Sequence, residues 1–292
     1  MRNLLAMVVS VWLAVGSAAS SESLTVSKVD LPVDPGDRPY CVSLPEDGRL
    51  IAFQSARAGG YGQLDIWLAR FENGRWSEPY NAGSGINTDI HEADAKFTPD
   101  GTTMVILRSA NLRKATQIYI SRLRDGKWTK AEPIGPPVST PDTIEYGALL
   151  SRDGKRMYFA SNREGGYGGM DLYFSDRTGD QWSQPVNLGP VINTRENEAD
   201  LALSRDGKTI IFPSKREDSI AGSTDLYVSH SENGVWSPVE NLGPRVNTPG
   251  TDTCPWLGYD GHTLYLNTDW DGLVQGEKGS MLVWKIHYSK GF

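Results

Sequence analysis

The amino-acid sequence predicts an all-β fold, a five-bladed β-propeller of four-stranded blades, on three observations. Asp-Gly pairs recur at Asp47, Asp100, Asp153, Asp206 and Asp260, spaced 53, 53, 53 and 54 residues apart. Each pair sits between two short apolar runs, the pattern of a hairpin closed by a tight turn. Helical periodicity is absent, and an all-strand repeat of this length reads as a radial blade.

The strands follow in order, most completely in the copy from Glu145 to Asn197. An innermost strand precedes each turn at Tyr40–Leu44, Ala93–Phe97, Tyr146–Leu150, Ala199–Leu203 and Thr253–Leu257. A second follows it at Leu50–Phe53, Met104–Leu107, Met157–Phe159, Ile210–Phe212 and Leu264–Leu266. A third is read at Asp65–Leu68, Gln117–Ile120, Asp171–Phe174, Asp225–Val228 and Met281–Ile286. Four copies then turn and enter an aromatic-led fourth strand at Trp76, Trp128, Trp182 and Trp236. Blades therefore start near residues 37, 92, 145, 198 and 252. The fifth copy lacks its fourth strand, while Lys28-Val29-Asp30-Leu31-Pro32 echoes Pro185-Val186-Asn187-Leu188-Gly189-Pro190. Residues 24–32 are expected to complete blade five, closing the ring and covering its edges.

A chain of 292 residues that is 38% hydrophobic can bury a sizeable core, and 31 Gly with 17 Pro suit short strands and tight turns. The 29 Lys and Arg are outnumbered by 36 Asp and Glu. That balance disfavours nucleic acid, which is held by cations on phosphates, and an anionic membrane surface. A cationic or neutral ligand fits better.

Met1-Arg2 is followed by an apolar run from Leu4 to Val15 and by small residues up to Ser20. The run falls short of the roughly 20 residues of a membrane span, so residues 1–20 read as a signal peptide, with a retained anchor as the alternative. Residues 21–292 then form one exported propeller domain, periplasmic or secreted, with no membrane span after cleavage. Cys41 and Cys254 each stand six residues before their Asp-Gly turn. Their blades are neighbours only if the ring closes, and an oxidising compartment permits a disulfide there. Two buried thiols are the alternative, because equivalent residues point the same way around the ring.

Eight residues before the turns stand Pro39, Glu92, Glu145, Glu198 and Asp252; six before stand Asp94, Gly147 and Asp200, between the two Cys positions. One reading is an acidic channel mouth that binds a ligand or supplies a glycosidase carboxylate pair. The other is that a residue repeated in nearly every blade caps the amides of its entry loop. Repetition favours the second, because a catalytic set should differ between blades. Arg57 with Asp65, Arg163 with Asp171 and Arg216 with Asp225 flank the Gly-rich loops and read as intrablade ion pairs or loop clamps. Tyr61 and Tyr167 sit at the tips of those loops, as contacts for a sugar or protein or as packing on the next blade.

Asp269-Trp270-Asp271-Gly272 with Glu277 lacks the full calcium-loop pattern. The four His share no metal or triad spacing, and only His91, beside Glu92, is placed on the loop face. No metal or cofactor is expected. Trp256 and Trp270 break the blade pattern and are candidates to line the channel mouth.

Three runs carry a family resemblance: Ser-x-Asp-Gly-Lys-x-x-x-Phe-x-Ser-x-Arg, Gly-Gly-Tyr-Gly-Gly-x-Asp-Leu-Tyr, and Trp-Ser-x-Pro-Val-Asn-Leu-Gly-x-x-Ile-Asn-Thr. From Leu24 to the C-terminus the chain resembles the TolB-type WD-like propeller repeat of periplasmic bacterial proteins, also found beside OmpA-like peptidoglycan-binding domains. The resemblance is strong in repeats one, three and four. The α/β domain that precedes the TolB propeller has no counterpart here, nor has the hydrolase domain of prolyl peptidases, and no Gly-x-Ser-x-Gly occurs. It therefore implies a binding module or scaffold rather than a catalyst, with an envelope protein or glycan as partner. A carbohydrate-active enzyme is the alternative, since five-bladed glycoside hydrolases place acids on inner strands. A module that spaces or oligomerises envelope proteins is a third reading.

Overall fold

The structure, a computed structural model, describes residues 23–34, 37, 39–270, 282–289, 291 and 292. The expected signal peptide and residues 271–281, with most of the Asp269–Glu277 loop, lie outside the described residues.

Each Asp-Gly turn joins the two innermost strands of a blade, and five antiparallel sheets result. Blade three runs Glu145–Leu150, Arg156–Ser161 and Asp171–Thr178, and the other blades repeat this order. The fourth strand, expected as one piece, is split in two. In blade three Gln181–Trp182 pairs with the far end of the third strand, and Val186–Asn187 pairs nearer its start. The interruption falls at Ser183-Gln184-Pro185, where proline cannot donate to a ladder. Ser183 bridges it: its Oγ accepts from Asp176 N at 3.0 Å and donates to Gln184 O at 3.1 Å.

Ring closure follows the sequence reading. Leu24–Lys28 pairs antiparallel with Leu282–Tyr288, Leu24 opposite Tyr288 and Lys28 opposite Trp284, and so supplies the fourth strand of blade five.

Five apolar clusters hold the ring, one between each pair of neighbouring blades. Phe53 and Trp67 pack with Trp256 and Tyr265 across blades one and five. Leu172 and Tyr158 pack with Phe212 and Tyr227 across blades three and four. Packing sheets face to face in this way buries most of the aromatic surface between blades. The axis is left to the inner edge of each first strand, and the site is built there.

Four of the five inner strands carry an irregularity in their pairing with the second strand. The register breaks between Tyr40 and Ser43, Ala93 and Lys96, Tyr146 and Leu149, and Thr253 and Trp256. Inside those breaks Cys41, Asp94, Gly147 and Cys254 have φ of 49°, 47°, 58° and 50°. Three are not glycine, so the blades hold them in a left-handed conformation that costs free energy. Blade four differs: its inner strand shortens to Ala202–Leu203, and Asp200 stands just before it.

Candidate functional site

Side chains meet across the axis at several levels. Near the loop face Tyr40 donates or accepts across to Thr253 Oγ1 at 2.8 Å. Below them Cys41 and Cys254 are joined by a disulfide. Asp94 and Asp200 share this layer; Gly147 N donates to Asp94 Oδ2 at 2.8 Å. A Cβ on Gly147 would meet Asp200 Oδ1 at 2.6 Å, so the glycine makes room for that carboxylate. Lys96 comes next, with Nζ 3.0 Å from Asp94 Oδ1 and 3.7 Å from Asp200 Oδ1, and 5.7 Å from the centre of the Trp256 ring. At the turn face Glu46 holds Arg152 at 3.1 Å and Arg205 at 2.5 Å, drawing blade one towards blades three and four.

This layer sets one cation against two carboxylates in a buried environment. Burial, and then the neighbouring Asp94, push Asp200 up to about 7, against the opposing pull of Lys96. For Lys96 burial works against the charged form, but Asp200 and Asp94 outweigh it and the group is raised above its ordinary value. The cation is thus held in place between the two carboxylates. Cys41 Sγ, Cys254 Sγ and an Asp200 oxygen lie within 4.8 Å of one another. The sulfurs are bonded to each other, and metal ligation needs the thiolate.

The acids expected at the channel mouth are sealed behind it. Glu92, Glu145, Glu198 and Asp252 are all 0% exposed. Glu198 accepts from Thr194 N at 2.9 Å, Thr194 Oγ1 at 2.8 Å and Ser214 Oγ at 2.7 Å, with Arg216 at 3.5 Å. Glu92 repeats this with Thr88 N at 2.8 Å and Arg108 at 2.9 Å, and Glu145 with Ser139 at 2.8 Å and Arg163 at 3.6 Å. The carboxylates cap the amides and hydroxyls of their own entry loops. Burial raises Glu145 above the usual carboxylate range. Asp252 departs from the set: Thr248 and Thr268 surround it and no arginine among the described residues pairs with it, and burial carries it to about 6.

The arginines therefore do not pair with Asp65, Asp171 and Asp225 as the spacing suggested. Arg163 and Arg216 reach the inner-strand acid of their own blade and donate to Val138 O and Ile192 O, each at 2.6 Å. Arg57 pairs with Asp37 at 3.5 Å. The aspartates are the loop clamps. Asp171 accepts from Tyr167 N at 2.6 Å, Gly168 N at 2.9 Å and Asn187 Nδ2 at 2.7 Å, and Asp65 does the same for Tyr61, Gly62 and Asn81. These clamps fix the loop tips, and Tyr61 and Tyr167 stand 54% and 52% exposed. Of the candidate ligand-binding residues they alone reach solvent substantially.

Lys96 was not singled out by sequence. Its signal is there: equivalent positions hold Ser43, Leu149, Ala202 and Trp256, so it is the one charged residue in that ring. Trp256 does break the blade pattern, but it is buried at the axis, edge-on to Tyr259, rather than at an open mouth.

No family model matches the chain, and no curated protein matches it. Solved structures do. A protein described as TolB from Agrobacterium tumefaciens is similar with a TM-score of 0.53 and 18% identity, over 88% of this chain and 81% of that one. The catalytic domain of a GH62 α-L-arabinofuranosidase from Coprinopsis cinerea is similar with a TM-score of 0.54 and 12% identity, over 89% and 99%. A Podospora anserina α-L-arabinofuranosidase in complex with cellotriose gives 0.56 and 13%, over 91% and 96%. The fold is a TolB-like five-bladed propeller. At these identities the likeness speaks for architecture alone.

Proposed function

We propose that this protein is an exported binding module that engages a cell-envelope protein or glycan through the loop face carrying Tyr61 and Tyr167. The observation that carries this reading is the contrast between the two sets of residues. Every candidate carboxylate on the inner strands is buried and satisfied by its own chain, whereas the two tyrosines are exposed on clamped loops. Rigid aromatic side chains give contact area at low entropic cost, which suits recognition. Export is supported by the Cys41–Cys254 disulfide, at home in an oxidising compartment. No helix among the described residues is long and apolar enough to cross a membrane.

The competing reading is a glycoside hydrolase, favoured by the likeness to arabinofuranosidases. It needs two carboxylates facing a sugar across open space. Asp94 and Asp200 are the acids nearest the axis, and Lys96 and the disulfide occupy the space between the blades there.

The test is capture from envelope extract and from a panel of immobilised envelope glycans, with Tyr61→Ala/Tyr167→Ala against the wild type. Loss of capture at an unchanged melting temperature supports the loop face. Unchanged capture removes the tyrosines from the site, and product release from any glycan replaces the binding reading with the enzymatic one.

A further inference from the structure

The turn face carries a second feature, remote from the loop face and independent of the reading above. A groove of about 370 Å³ lies between blades two and three, walled by Ile120, Leu150 and Trp182 and bordered by Arg122, Arg152 and Arg177. Small-ligand sites begin near this size, with apolar walls and a few convergent polar groups.

The arginines differ in how far the chain satisfies them. The Arg122 guanidinium has no hydrogen-bond or ion-pair partner among the described residues. Arg177 pairs through Nη2 with Asp180 at 3.1 Å, but Asp180 is fully exposed, and Arg177 Nε is buried without an acceptor among the described residues. A buried donor left unsatisfied is costly. Arg152 is held by Glu46.

Three acids also border the groove, and all their oxygens but Asp153 Oδ2 are engaged within the chain. Asp100 accepts from Thr98 Oγ1, Thr102 N and Thr102 Oγ1 within its own turn, and Asp153 accepts from Ser151 Oγ and Lys155 N within its own. Glu46 is spent on Arg152 and Arg205. Apart from Asp153 Oδ2, the hydrogen-bonding capacity that the chain leaves unused in the groove is that of the Arg122 and Arg177 donors.

The arginine pair also breaks the repeat. Arg177, opposite Trp182, stands where the other blades have Phe71, Leu123 and Ser231. The Arg122 position is occupied elsewhere by Arg70, Asp176 and His230. A residue needed to build a blade should recur in each. Here a guanidinium at both places occurs only where blades two and three meet.

We propose that this groove binds a small ligand carrying an oxyanion, a carboxylate or a phosphate, held by Arg122 and Arg177 with its body against Ile120, Leu150 and Trp182. The planar guanidinium fork matches both anions. Calorimetric titration of the purified protein with D-glucuronate, D-glucose 6-phosphate and D-glucose tests this, since the three share a body and differ in the anion. At least one acid is expected to bind and the neutral sugar not, with the stronger acid identifying the anion. Arg122→Gln and Arg177→Gln should each weaken that binding about tenfold, as loss of a charge-assisted contact does. The Arg122 guanidinium makes no hydrogen bond or ion pair among the described residues, so its variant should melt close to the wild type. Tyr61→Ala/Tyr167→Ala should bind the acid unchanged, which separates this site from the loop face. Acids that bind no better than glucose, or arginine variants that bind like the wild type, overturn the proposal.

Discussion

Cys41 and Cys254 are 213 residues apart in sequence and 4.9 Å apart at their Cα atoms, joined by a disulfide at the axis of the ring. At the outer rim Leu24–Lys28, the segment that leads into blade one, completes blade five on Leu282–Tyr288. Closure is thus made twice, by sulfur inside and by a strand outside. A propeller with open ends would expose a sheet edge and one whole inter-blade cluster.

Replacing both cysteines, Cys41→Ala with Cys254→Ala, is expected to cost about 2–5 kcal/mol, because the cross-link limits the unfolded chain over a long loop. Urea denaturation of the variant, and of the wild type with reductant, reads this directly. Equal midpoints for oxidised wild type and variant would mean that the strand alone holds the ring.

Lys96→Met should be destabilising in a pH-dependent manner. Without the cation, Asp94 and Asp200 face each other in a buried layer, and breaking a buried pair on one side costs about 3–5 kcal/mol. Protonating a carboxyl relieves that cost, so the loss should be largest near pH 8 and shrink towards pH 5. A loss that stays constant with pH would assign Lys96 to packing against Trp256 rather than to charge.

Asp252 makes a second prediction with the same sign. Its carboxyl is held at about 6 in the folded protein against an ordinary 3.8, so the native state binds a proton more tightly than the unfolded chain. Its contribution to stability therefore falls as pH rises from about 4 to about 6 and is level above that. Asp252→Asn should remove this slope, so the stability of the variant relative to the wild type should rise by up to about 3 kcal/mol across that range, the size of a two-unit shift. Parallel stability curves for the two proteins across that range would rule it out.

Most of the fold was legible because the Asp-Gly turns fix both blade boundaries and strand register. Tyr61 and Tyr167 were legible for a related reason: Gly-Gly-Tyr-Gly can only be a tight loop tip. The partners of the arginines were not. Asp171 is closer to Arg163 in sequence than Glu145 is, but pairing sets Glu145 opposite Ser161, and Arg163 just beyond it folds back over that acid. Lys96 was hidden in the same way. Its meaning depends on Asp200 two blades away and on the inner-strand break at Asp94, which no local pattern announces.

The aspartate clamps allow loop order to be separated from loop chemistry. Asp171 receives two loop amides and the Asn187 side chain, and Gly166 lies so close that a Cβ there would meet Asp171 Oδ2 at 2.6 Å. Asp171→Ala removes a buried charged acceptor from all three donors, at an expected cost of about 2–4 kcal/mol. Tyr167 itself is left intact. Hydrogen exchange at the Tyr167 and Gly168 amides should accelerate well beyond that of the Asp171–Thr178 strand, since the loop alone loses its anchor. If the loop face is the binding surface, Asp171→Ala should weaken capture although no contacting side chain has changed, because an unclamped tyrosine must be ordered at the moment of binding. Faster exchange with undiminished capture would show that the tyrosine adapts to its partner and that the clamp serves folding alone.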